Sequence, residues 1–210
     1  TTGDDNVAMG YGALGANTAG SLNTAIGNNA LLVSTTGGQN VSVGANALKA
    51  NTTGDNNTAV GYASLEANTT ANYNTAFGHS ALTDATTGAE NVAVGNLALS
   101  LNTTGTHNVA IGASDASSGA TLGTNSSGSA NTAVGMQALK ANTTANNTTA
   151  VGYRALYANT TGAENTAVGN IAGSAITTGA NNTIVGTGAG AALTTGTNNL
   201  LLGHDSGLTG

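Results

Sequence analysis

Asn57-Thr58-Ala59-Val60-Gly61-Tyr62-Ala63-Ser64-Leu65-Glu66-Ala67-Asn68-Thr69-Thr70 is followed, after three intervening residues, by Asn74-Thr75-Ala76-Phe77-Gly78, and the pattern begins again. The anchor Asn-x-Ala-x-Gly starts at Asn6, Asn23, Asn40, Asn57, Asn74, Asn91, Asn108, Asn131, Thr148, Asn165, Asn182 and Asn199. Every interval is 17 residues except the step from Asn108 to Asn131, which is 23. A fixed period of this size marks a repeat architecture, in which each unit buries its apolar face only against its neighbours.

The unit reads N-[TV]-A-[VI]-G-x-x-A-L-x-A-N-T-T-G-x-x. Its first four residues are short, alternating and rich in β-branched side chains, which predicts a strand. Gly at position five permits the backbone of a corner. Ala-Leu-x-Ala predicts a second short extended segment, since too few residues separate the glycines to nucleate a helix. Asn-Thr-Thr-Gly is turn chemistry. One unit is thus one coil, and the fold class is all-β: a parallel β-solenoid (β-roll or β-helix) of twelve 17-residue coils. Residues 1–210 form one solenoid, about 58 Å long at about 4.8 Å per rung.

Stacking places like on like. Position four is expected to form the core ladder: Met9, Ile26, Val43, Val60, Phe77, Val94, Ile111, Val134, Val151, Val168, Val185 and Leu202. Position one is expected to form an Asn ladder of Asn6, Asn23, Asn40, Asn57, Asn74, Asn91, Asn108, Asn131, Asn165, Asn182 and Asn199, its amides bonded from rung to rung. Position nine is Leu in most units and loosens to Ala116, Gly173, Gly190 and Gly207. So thin a core needs outside support. The Ala positions three, eight and eleven are therefore expected to face partner chains, in a homotrimer or a homopolymer.

Composition narrows the function. Charged residues are 6% and the net charge is -6. The only cations are Lys49, Lys140 and Arg154, which argues against a nucleic-acid partner. No apolar stretch is long enough for a membrane span. There is no Cys.

The stretch from Asn57 to Thr70 resembles repeats in phage tail-fibre proteins and related bacterial surface proteins, often placed before an endosialidase-type chaperone domain. It is also similar to repeats in the heads of trimeric autotransporter adhesins, although the unit here is longer. Those heads are parallel β-rolls wound as homotrimers. The resemblance implies a non-enzymatic fibre segment, extracellular, on a cell surface or in a virion, that supports attachment to a cell-surface receptor or glycan. It also implies a segment of a longer fibre. A filament of copies stacked end to end and a ligand-binding solenoid, with a Thr ladder at position thirteen as an ice-binding face, are the alternatives.

Candidate sites follow from departures from the repeat. The six-residue insertion is expected near Ser118, Gly119, Ala120, Thr121, Leu122 and Gly123, as a receptor-contacting loop or a tolerated bulge. His79, His107 and His204 do not converge, so no metal site is expected. The acids lack the recurring Asp of a calcium roll and the pairing of a hydrolase. No catalytic residue or cofactor site is expected. Tyr11, Tyr62 and Tyr153 share position six and one edge. Asn-x-Ser/Thr occurs at Asn51, Asn56, Asn68, Asn102, Asn125, Asn142, Asn146, Asn147, Asn159 and Asn181, as turn residues or glycan acceptors.

Overall fold

The computed structural model describes residues 2–114 and 119–207. Twelve three-residue strands, from β1 (Val7–Met9) to β12 (Leu200–Leu202), form one sheet in chain order. Every pair is parallel and in register. In β4 (Thr58–Val60) and β5 (Thr75–Phe77), Thr58 faces Thr75, Ala59 faces Ala76 and Val60 faces Phe77. The longer step keeps the same register, with Ala110 opposite Ala133. The chain is an all-β parallel β-solenoid built from tandem repeats.

Gly at position five is required twice over. Gly78 has φ +142°, and a Cβ there would lie 2.5 Å from the Gly95 carbonyl oxygen one coil on. Neither the conformation nor the space admits a side chain.

The ten inner strands, β2 (Thr24–Ile26) to β11 (Thr183–Val185), bury their middle residue, not their last. Ala25, Ala59, Ala76, Ala93, Ala133, Ala150 and Ala167 are fully buried. They pack with the position-nine leucines, Leu31 to Leu156, and with position-eight alanines such as Ala47 and Ala81. The expected core ladder at position four is therefore corrected. Met9, Ile26, Val43, Val60, Phe77, Val94, Ile111, Val134, Val151, Val168, Val185 and Leu202 point to the outer face of the sheet. Met9 is 63% exposed and Phe77 57%, whereas Ala76 is 0%. The cause is the period of two along a strand. Only one of positions three and four can face inward, and once Leu fills the narrow coil, only a small residue fits opposite it, Ala or, in one coil, Ser42 with its hydroxyl bonded to Ala47 O (2.8 Å). The Ala positions three and eight are consequently core rather than partner-facing.

The Ala-Leu-x-Ala segment is a run of turns, not a second strand. Ala63 and Leu65 have φ +52° and +51°, and the positive values recur at positions seven and nine along the solenoid. Amides alternate between local and inter-coil acceptors. Ser64 N–H donates to Gly61 O (3.4 Å) and Asn68 N–H to Leu65 O (3.2 Å), while Leu65 N–H donates to Ala81 O (3.0 Å) and Ala67 N–H to Thr83 O (2.9 Å). A left-handed Leu costs roughly 1–2 kcal/mol. Burial of the whole side chain, about 1.5–3 kcal/mol, offsets that cost.

The last coils exchange volume between positions. Where position nine becomes Gly173 and Gly190, position three becomes Ile184 and Leu201, and position twelve becomes Ile176 and Leu193. Ile176 and Ile184 are fully buried, and Leu193 and Leu201 pack on the same core. The core continues with its bulk moved to the opposite wall.

The insertion lies earlier than the repeat suggests. Ser114 N–H donates to Asn96 O (3.4 Å), as position seven does elsewhere. Thr121 and buried Leu122 then take positions eight and nine, with Leu122 N–H on Ala138 O (3.0 Å). The Leu ladder is thus unbroken in this coil. The expected ninth residue, Ala116, and Ser118 lie outside the described residues. Gly119 and Ala120 are the end of the insertion, while Thr121, Leu122 and Gly123 belong to the coil itself.

Candidate functional surfaces

Two Asn ladders bond the rungs. Asn57 Oδ1 accepts from Asn74 N–H at 3.0 Å, and Asn57 Nδ2 donates to Ala71 O at 2.8 Å. The pattern repeats from Asn6 to Asn199 with one interruption at Thr148, at donor–acceptor distances of 2.7–3.1 Å, and it is the ladder expected at position one. A second ladder runs along position twelve, where Asn68 Nδ2 donates to Asn51 Oδ1 (2.9 Å) and Asn142 Nδ2 to Asn125 Oδ1 (2.7 Å). Hence Asn51, Asn68, Asn102, Asn125, Asn142 and Asn159, six of the Asn-x-Ser/Thr sites, are fully buried. Asn146, Asn147 and Asn181 are exposed.

The position-thirteen threonines are committed to the stack. Thr18 Oγ1 donates to Thr35 O (2.9 Å), Thr52 to Thr69 O (2.9 Å) and Thr160 to Thr177 O (3.0 Å). They form a structural ladder rather than a free hydroxyl array.

The outer sheet face consists of positions two and four. It carries Thr, Val, Ile, Leu, Met and Phe along all twelve strands and no charged residue. Val7, Met9, Phe77, Leu200 and Leu202 are each more than half exposed. All-parallel sheets ordinarily have both faces covered, and here one is bare.

Two of the three cations sit together on the turn side. Lys140 Nζ donates to the Tyr157 hydroxyl (2.9 Å) and lies 4.9 Å from the centre of its ring. The Arg154 guanidinium lies 5.1 Å from the Tyr157 ring and 5.2 Å from that of Tyr153. Arg154 Nε donates to Oε1 of buried Gln137 (2.6 Å). The Lys140 hydrogen bond, aided by the charges of Lys140 and Arg154, holds the Tyr157 phenol below its ordinary pKa. A cleft of about 200 Å3 beside it is lined by Leu97, Ser100, Leu101, Gly119, Ala120, Gly123, Thr124 and Lys140.

The histidines stay apart. His107 Nε2 meets Glu90 (2.9 Å), His204 Nδ1 meets Asp205 (3.1 Å), and His79 stacks on Tyr62 with centroids 5.1 Å apart. Among the described residues no three His, Cys, Asp or Glu side chains converge on one point. No helix there is long and apolar enough to cross a membrane.

No family model matches the chain, and neither a curated relative nor a solved structure matches it.

Proposed function

We propose that the chain is a non-enzymatic shaft segment of an extracellular attachment fibre, in which copies associate through the outer face of the sheet. The bare, charge-free face along positions two and four carries this reading. Exposed apolar surface of such extent marks an interaction site. Its rungs recur at about 4.8 Å, a period that another copy of the same chain matches over the full length. Three copies around one axis would cover all three faces at once, in keeping with the tail-fibre and adhesin-head resemblance. The role is mechanical: Asn and Thr ladders tie each coil to the next while the ends or side surfaces make contact with a cell.

Light scattering with negative-stain imaging tests this reading. A mass of three chains, with rods one solenoid long, is the expected result. A 20.0 kDa monomer at working concentration would overturn it. Long filaments would place the contact at the end rungs instead of the sheet face.

A further inference from the structure

We infer that coils eight and nine carry a binding site for an acidic saccharide, a pyranose bearing a carboxylate, centred on Lys140, Arg154 and Tyr153. The site stands on the geometry of single coils and holds whether or not the chain oligomerises.

The repeat makes the cluster conspicuous. Positions six, seven and ten vary freely from coil to coil, so nothing in the coil requires cations or aromatics there. Yet two of three cations and two of five tyrosines in a chain of net charge -6 meet at this one place. Among the described residues the ion pairs are those of Lys49, His107 and His204, and none involves Lys140 or Arg154. Among the described residues both cations are held in place by neutral partners. Gln137, 1% exposed, fixes Arg154 through Nε, and the guanidinium lies beside the Tyr153 and Tyr157 rings. The Tyr157 hydroxyl fixes Lys140.

The chemistry selects the ligand. Two preorganised cations suit a carboxylate, which a guanidinium can hold by two parallel hydrogen bonds. Tyr153 is 39% exposed with the Arg154 guanidinium over its ring, an aromatic surface of the kind that packs on the C–H side of a sugar ring beside the charge that would hold its carboxylate. The cleft at Leu97, Leu101 and Ala120, bordered by Lys140, extends the surface over the preceding coils with mainly apolar walls and the hydroxyls of Ser100 and Thr124 at its edge. An open, elongated surface with one charged end fits a saccharide chain better than a compact anion.

Isothermal titration of the full chain at low salt with an oligogalacturonate, a neutral malto-oligosaccharide and inorganic phosphate tests the proposal. The acidic oligosaccharide should bind saturably, and the other two should not. Arg154→Gln and Lys140→Met should each weaken binding at least about tenfold, the scale of one lost charge-assisted hydrogen bond, with circular dichroism unchanged. Arg154→Lys should retain part of the affinity. Equal binding of the neutral sugar, saturation by phosphate alone, no binding of the acidic sugar, or indifference to both substitutions would overturn it. None of these outcomes depends on the oligomeric mass.

Discussion

Ile184 occupies the volume that Gly173 leaves empty: a Cβ on Gly173 would lie 2.9 Å from Ile184 Cδ1. In most coils the same space is filled from the other side, by Leu at position nine against Ala at position three. The two arrangements are alternative solutions to one packing problem.

Their coupling is measurable. Gly173→Leu alone overfills the core and should cost roughly 1–3 kcal/mol. Ile184→Ala alone opens a cavity and should cost roughly 2–5 kcal/mol. The double substitution recreates the common pair and should recover part of the summed loss, read by denaturant unfolding as a double-mutant cycle. Simple additivity would contradict the exchange.

Two interruptions of the Asn ladders leave polar atoms stranded. Thr148 offers Asn165 N–H no acceptor of the kind Asn131 Oδ1 gives Thr148 N–H at 3.1 Å. Ala85 leaves the buried Oδ1 of Asn68 without a donor. Thr148→Asn and Ala85→Asn should each raise stability by about 1 kcal/mol. A shift to lower denaturant midpoints would show that neighbouring coils cannot accept the amide there.

The reverse change should be expensive. Asn57→Ala removes the acceptor for Asn74 N–H and one donor for Ala71 O, both buried. A loss of about 1–3 kcal/mol is expected from the one group left unsatisfied, Asn74 N–H, since Ala71 O still accepts from Asn68 Nδ2 at 3.1 Å; it should be visible as a lower midpoint with the slope unchanged.

Tyr157 should ionise before the other tyrosines, because an ammonium donating to its oxygen favours the phenolate. Ultraviolet titration should show one early phenol, returned to the ordinary range by Lys140→Met and abolished by Tyr157→Phe. The linkage has a definite sign. Between the lowered pKa and 10, the unfolded chain binds more protons, so this group adds stability as pH rises through that window and nothing near neutrality. Five phenols titrating together would refute the contact.

Much of this architecture is legible in the letters. The period gives the coil, the Asn ladder and the Gly corner, and Lys140 with Tyr157, or Gln137 with Arg154, are neighbours because they stand 17 apart. The facing of the strand is not legible from hydropathy, which ranks Val above Ala. Variation in size is the better signal: position four accepts Val, Met and Phe, as a packed site would not, while position three holds only Ala or, once, Ser42 until Gly173 makes room. The turn run at Leu65 is hidden because Leu rarely takes positive φ. The start of the insertion is hidden because a 17-residue frame cannot show where extra residues leave the coil.

The outer face is the most exposed part of the account. Val60 and Val94 lie on it, and Thr53 is exposed on a corner away from the strand. Light scattering of Val60→Lys/Val94→Lys beside Thr53→Lys compares the two surfaces directly. The expected result is a folded monomer for the double variant and an unchanged oligomer for Thr53→Lys. An oligomer that survives charges on the sheet face, or one that dissociates only on the Thr53 substitution, would contradict assembly through positions two and four.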